Sequence, residues 1–598
     1  MGPLWLLHCS PETRENAAVA PAVPLADRES WEVNFTLREK DLLVGIRAPY
    51  MQDQGRFTYA DSARIEFSAP AGEPYSSLSA TRLTLDGAER IGMGGEVVIT
   101  AGDSLKVLTD TLVWERNGKR LHLPGSVRIL TLSGTEEGQN LQTDIDFVQW
   151  SMEATVGRWR GRREGQAYEV EIRAQRAASS RREGYLSVCY DSVIVAHQGT
   201  TIRSPRARFD EAAGTMYFSD GVSSVDSARQ FSAREMDYQL DKHRAVARKE
   251  VILRQADWRL EADQLIEDGE RKHLQARGQP AVFHQGARSI TASELDYDER
   301  EENLEASGQV VFREGERLLR SAHLVYQQKR EYLEASGAIS LQTPELEGVL
   351  HSGRMIYDLK AARMDLRETP QLRRQRPDGV LLIHADEMHL DLEQEQLAGE
   401  GAFRLVSPGL DLRAMRGLYN ADEERLILAL EVVLTQGEEE NHRRQIQADS
   451  MIVHLREGEV EQIHIPSQMQ GSVRSSETRR SNIQGAESRL FFQGEDLERV
   501  ELEGGAEVIH EHLDENAVSR IQGENMSLHF AAQRGLQRIQ VQGQAKFSSQ
   551  LPPEEEDQLP SINQVEGEEL EIFLEDGSIV EVKVIKPKGN YYPPREKQ

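Results

Sequence analysis

The chain has 598 residues, of which 38% are hydrophobic and 6% aromatic, too thin an apolar supply for one thick globule but suited to a repeat array with a narrow core. Asp and Glu outnumber Lys and Arg by 100 to 71, a formal net charge of −29. That balance excludes a protein that grips nucleic-acid phosphates and argues against electrostatic docking on anionic lipid headgroups.

The chain opens MGPLWLLHCSPETRE. Leu4 to Leu7 followed by Cys9 has the form of a secretory signal ending in a lipoprotein box, with Cys9 as the expected lipidation site, although His8 stands where a small residue is usual. Residues 1–30 read as this signal remnant and a Pro- and Ala-rich tether. No stretch approaches the roughly 18–20 apolar residues that a membrane-spanning helix needs.

From Trp31 the pattern is that of strands. Trp31 to Leu37, Ala63 to Phe67 and Leu78 to Leu85 alternate apolar and polar residues, the period of a half-buried strand. Asn117-Gly118 between Leu105–Trp114 and Leu121–Ile129 is a hairpin signal. Gly157 to Arg163 is a basic run read as a loop, and Cys189, within Leu186-Ser-Val-Cys-Tyr190, is read as a packed small residue.

Between Ile290 and Leu341 one unit is written twice. Leu295, Tyr297, Leu304, Ala306, Gly308 and Val310 recur as Leu324, Tyr326, Leu333, Ala335, Gly337 and Ile339, and Gly308 and Gly337 lie 29 residues apart. Related copies run from about Tyr168 to Val584, a repeat near 30 residues in which each unit stacks on its neighbours. Arg367–Gly379 and Leu551–Pro560 read as surface-loop inserts, and 587–598 as a disordered tail. The register carries a further signal. In Ile290-Thr-Ala-Ser-Glu-Leu-Asp-Tyr297 the inward parity switches from even to odd, so one face cannot bury both sets unless the strand bulges near Ser293-Glu294. Each copy is expected to turn a corner there and pass from one sheet to a facing one.

The repeat I-x-A-x-x-L-x-Y, charged turn, L-x-A-x-G-x-V, carried by Ile290, Ala292, Leu295, Tyr297, Leu304, Ala306, Gly308 and Val310, resembles the OstA-type domain of the lipopolysaccharide transport proteins LptA and LptD. Trp31 to about Leu130 is similar to LptC. The resemblance implies an all-β fold, an elongated, twisted β-jellyroll solenoid that is open and V-shaped. It would comprise an LptC-like part over residues 31–166 and an LptA-like part over 167–586. It implies a periplasmic, non-enzymatic carrier that shields the acyl chains of lipopolysaccharide or a related glycolipid and passes them toward the outer membrane. Expected partners are other Lpt components, joined by edge-strand pairing, and an inner-membrane transporter complex. Nucleic acid, metal and cofactor are not expected.

The expected groove liners are Leu295, Tyr297, Leu304, Val310, Phe312, Leu324, Tyr326, Leu333 and Ile339. The competing reading of the same residues is a closed, dry core. His510 and His512 with Asp514 could be drawn as metal ligands, but a turn with solvated side chains is the expectation, and Asp386 to His389 lacks a third partner. The sequence shows no P-loop, nucleophile elbow or paired-cysteine metal site. Two other functions remain open: a passive periplasmic scaffold or adhesin-like protein without cargo, and a polysaccharide-acting β-solenoid enzyme using paired carboxylates.

Overall fold

The structure, a computed structural model, describes residues 27–592 apart from 40, 71–73, 88, 116–118, 164–165, 183–184, 227, 345–347, 376–378, 438–442, 457–458, 475, 495, 532–534 and 553–559. The expectations for Cys9, for the signal remnant and for the Asn117-Gly118 turn therefore lie outside the described residues. Among those described, the secondary structure is strand almost throughout, 42 in all, with a 3-10 turn at Gln328–Arg330. No helix among them is long and apolar enough to cross a membrane.

The chain divides into two compact units. Residues 1–256 with 268–270 form one, and 257–267 with 271–598 the other. Strands Gln149–Arg163 and Gln166–Arg182 form a single hairpin across position 166, so the expected junction at 166/167 falls inside the first unit.

In the first unit antiparallel strands follow one another in chain order from Arg28–Glu39 against Leu42–Gln54 as far as Thr200–Asp210, after which short strands split between the two arms, Thr215–Ser219 pairing with Glu235–Gln239 and Val222–Val225 with Arg229–Ala233. The register slips partway along many of them, for example between Gly94 and Val97 opposite Thr111 and Thr109. Such slips bend the strand and let its two arms face each other. Phe67 on one arm meets Trp114 on the facing arm at 5.0 Å between ring centroids, and Trp159 meets Phe209 in the same way at 5.2 Å.

The second unit shows the cause of the bend most clearly. In Arg288–Asp298, Ile290 and Ala292 are buried, then Leu295 and Tyr297, with the ladder slipping between Thr291 and Glu294. The parity switch in the sequence therefore marks the corner. On the next strand, Asn303–Glu314, the corner is made by Gly308 at φ 78° and Gln309 at φ 53°, and Gly337 (φ 77°) with Ala338 (φ 49°) repeats it one unit later. A β-carbon at Gly308 would lie 3.0 Å from that of Ser293, and one at Gly337 2.9 Å from that of Ala322, so these sites need glycine for both conformation and space.

Four expectations are corrected. Gly157–Arg163 is the end of a strand and not a loop: Trp159 is buried, while Arg158 and Arg160 point outward to Glu171 and Glu169. Cys189 is exposed, because before the corner at Ser192 (φ 54°) the inward positions of its strand are the even ones, Leu186, Val188 and Tyr190. In the insert at Arg367–Gly379, Gln371–Gln375 continues the sheet by pairing with Gly348–Asp358, and Glu368 and Thr369, both at positive φ, form its corner. Within the expected tail, Lys588–Tyr592 is a strand paired with Ile562–Glu566, the repeat's alternation having run further than its Pro content suggested.

Candidate functional site

In the second unit the inward side chains form two ladders. One runs Phe283, Ile290, Phe312, Leu319, Leu341 and Leu350, each directly opposite the next in the register. The other runs Leu274, Tyr297, Leu304, Tyr326, Leu333 and Tyr357. They belong to facing arms and touch across the interior: Phe283 and Tyr297 lie 6.0 Å apart by ring centroid, and Trp258 packs edge-on to Tyr297 at 5.3 Å. The strands are about 4.8 Å apart, so each such row forms a continuous apolar stripe perpendicular to them.

Seven of the nine expected liners fall in or beside these rows on facing arms: Leu295, Tyr297, Leu304, Leu324, Tyr326 and Leu333 on one arm, Phe312 on the other. Val310 and Ile339 pair with Ser321 and Ser352 next to the corner. All nine are buried, none more than 5% exposed. The interior is closed at these positions, with no open furrow along them. Ser321 and Ser352 do not interrupt the apolar lining, because their hydroxyls turn to corner carbonyls: Ser321 donates to His323 at 3.0 Å, Ser352 to Arg354 and Arg367 at 2.7 and 2.6 Å.

What closes the mouth is a set of polar contacts that the sequence reading did not single out. Beyond the Phe283 row, the hairpin ends carry Gln285, Arg288, Glu314 and Arg317. Beyond the Tyr297 row lie Gln328 and Glu331, and the tyrosines reach the same place with their phenols. Tyr326 donates to Gln285 Oε1 at 3.0 Å and Tyr357 to Glu314 Oε2 at 2.9 Å. Arg288 pairs with Glu314 at 2.7 Å and reaches Tyr326 at 3.3 Å and Glu331 at 3.5 Å. Arg317 donates to Tyr357 at 3.2 Å. Burial opposes the charge on Arg288, but Glu314 and Tyr326 hold its guanidinium firmly protonated. Burial, then the Glu314 charge, pushes the Tyr357 phenol above its usual range, so it remains a donor. The signal was present in the spacing: Gln285 and Glu314, Arg288 and Arg317, and Tyr297 and Tyr326 are each 29 residues apart.

Each unit has further bridges at its hairpin ends. In the first unit His197, 2% exposed, bonds the Tyr238 phenol through Nδ1 at 2.8 Å and stacks on His243. Burial, then His243, lowers its pKa to about 4. In the second unit Arg444 lies over the Phe530 ring at 5.1 Å, and Arg479 donates to the carbonyl of Asp576.

His510 lies near such a hairpin end and is not solvated as expected. It is 1% exposed, with Nδ1 2.8 Å from Ser481 Oγ and Nε2 3.0 Å from His512 Nε2. Burial, then His512, lowers its pKa to about 4. Asp514 is exposed and joins neither histidine, instead accepting the Glu515 amide at 3.1 Å. His389 pairs with Asp365 at 2.6 Å. Among the described residues no group of three or more His, Cys, Asp or Glu is placed to hold a metal ion.

The first unit also carries an acid inside. Glu136, 1% exposed, accepts from Tyr190 on the facing arm at 3.2 Å, and Tyr190 accepts from Trp159 at 3.2 Å. Burial raises its pKa to about 8 against the opposing pull of these bonds, so the carboxyl is largely protonated at neutral pH.

No family model matches the chain, and no curated protein matches it. Among solved structures it is similar to LptH, the LptA-homologous periplasmic component of the lipopolysaccharide transport device from Pseudomonas aeruginosa. That match has 15% identity and a TM-score of 0.19, covering 19% of this chain and 94% of LptH. A second solved structure, TcdB2-TccC3, aligns with 90% of this chain and 48% of its own at 7% identity and a TM-score of 0.06. At TM-scores this low neither likeness bears on function.

Proposed function

We propose that this protein is a non-enzymatic carrier of lipopolysaccharide or a related glycolipid, working in the periplasm by taking acyl chains between the facing arms of its bent strands. The observation that carries this reading is the pair of unbroken apolar rows, Phe283 to Leu350 and Leu274 to Tyr357, facing each other across one interior. An acyl chain laid between them gains about 0.8 kcal/mol per buried CH₂, and it does so equally at each repeat, so it can slide along the row. Separating the arms in water exposes those rows at about 25 cal/mol per Å², a cost that an entering chain offsets.

Transfer requires neighbours. Arg28–Glu39 pairs along one side with Leu42–Gln54, and Trp31 on it is 67% exposed. At the other end of the chain Val580 and Ile585 are each 53% exposed. Strand addition at such edges would join the rows to those of other Lpt components, including an inner-membrane complex, and lipidation at Cys9 would tether the chain to a membrane.

One observation favours a second reading, a passive periplasmic scaffold: all nine expected liners are shut inside. Site-specific photo-crosslinking separates the two. Benzoylphenylalanine replacing Tyr297 or Tyr326 should capture lipopolysaccharide in cells, while the same probe at the outward Glu305 should not. Equal capture from both faces, or capture only outside, leaves the scaffold.

A further inference from the structure

The apolar rows are closed from two sides that differ in kind. On the corner side the chain itself continues from one arm into the other, through Ser293-Glu294 and Gly308-Gln309. On the opposite side, among the described residues from 281 to 358, no backbone crosses between the rows. The strands end there in hairpins, and the facing arms are joined by the side chains of Gln285, Arg288, Glu314, Arg317, Tyr326 and Tyr357. Breaking the corner means breaking covalent chain. Breaking this edge means exchanging hydrogen bonds and ion pairs for water, which solvates the same groups nearly as well. Arg288 and Glu314 are only 23% and 18% exposed at their side chains, so water must first enter, and the contacts share partners: Glu314 serves Arg288, Arg317 and Tyr357 together. A shared acceptor makes the edge release as a group rather than bond by bond.

We infer that this edge is a polar clasp, held by Glu314, along which the second unit opens sideways while its corners act as the hinge. Its use as the entrance for an acyl chain rests on the carrier reading above; the clasp and hinge rest on the contacts alone. Tyr326 and Tyr357 then do two jobs: their rings belong to the apolar row and their phenols to the clasp, so displacing the row and releasing the clasp are one motion.

The test uses the full chain in a Cys9→Ser, Cys189→Ser background, since Cys189 is exposed. Glu314→Gln keeps size but removes the charge shared by both arginines. Gln285→Cys with Gln328→Cys, whose parent side chains meet at 3.3 Å, allows the edge to be bridged by a short bismaleimide. Two quantities are read: hydrogen exchange at the hairpin ends against the corners, and the association rate of cis-parinaric acid, a fluorescent fatty acid. Glu314→Gln should raise exchange at the hairpin ends but not at the corners and speed parinaric acid uptake several-fold, while the bridged protein should slow uptake at least tenfold. Exchange unchanged by Glu314→Gln, or spread evenly over ends and corners, overturns the clasp. Uptake that is equally fast in the bridged protein overturns the edge as entrance. If exchange rises at the edge as expected but no form takes up the fatty acid, the clasp is supported and the carrier reading fails.

Discussion

Single residues decide whether the strands can bend. Gly308 and Gly337 sit at φ 78° and 77° with a neighbouring β-carbon 3.0 and 2.9 Å from where their own would be. Gly286 and Gly315, at φ 57° in hairpin turns, have nothing within 4 Å of that position. Alanine at any of the four meets the left-handed penalty of roughly 1 kcal/mol. Alanine at Gly308 or Gly337 must also push away the corner of the adjacent strand, at Ser293 or Ala322, so each should cost about 1 kcal/mol more than Gly286→Ala or Gly315→Ala. Urea midpoints followed by circular dichroism measure the difference, and equal losses at all four sites would show that corner packing is slack. Glu136 offers a residue-scale test with a definite sign. Its pKa is raised to about 8 by burial, against 4.5 for an ordinary glutamate. Between those values the folded chain holds a proton that the unfolded chain has lost, so this group's contribution to stability falls as pH rises through the window. Glu136→Gln removes that dependence. The variant's stability relative to the parent, read from tryptophan fluorescence in urea, should therefore improve from about pH 5 to pH 8; a constant difference would mean that water reaches the carboxyl.

Hairpins set what each repeat contributes. The bend and the inward faces were legible from alternation and from its change of parity at Ser293-Glu294, because a strand's side-chain period is a local property. The same reasoning placed Leu295, Tyr297, Leu304 and their copies inside. It failed where parity was misassigned, as at Cys189, and where composition stood in for pattern: Arg158 and Arg160 sit on the outer face of a strand whose Trp159 is buried. It also passed over the hairpin ends, where charged residues read as solvated turns. Contacts such as Arg288 to Tyr326 and Gln285 to Gln328 join residues 38 and 43 apart, more than one repeat, so no single hairpin contains them. His510 is the same error in another copy, a histidine near a strand's end, read as a solvated turn, that the facing arm's hairpin covers.

At the scale of the molecule, two compact units imply that no single transition describes unfolding, as is usual for long repeat arrays. The tryptophans give a way to see it. Of the six, Trp258 belongs to the second unit and Trp31, Trp114, Trp150 and Trp159 to the first, with Trp5 outside the described residues. In a Trp258→Phe variant, fluorescence should report the first unit while circular dichroism reports strands in both, and the two urea midpoints should differ. Coincident midpoints would mean that the units unfold as one. What the sequence determined unaided was a serial, all-β architecture of bent strands with one apolar face, because alternation, parity and a spacing of 29 residues are written within each repeat. Only the tertiary structure decided that the interior is shut, and by which side chains. That outcome depends on which hairpin end comes to lie over which, a consequence of strand twist and corner angle accumulated across repeats rather than of any one segment.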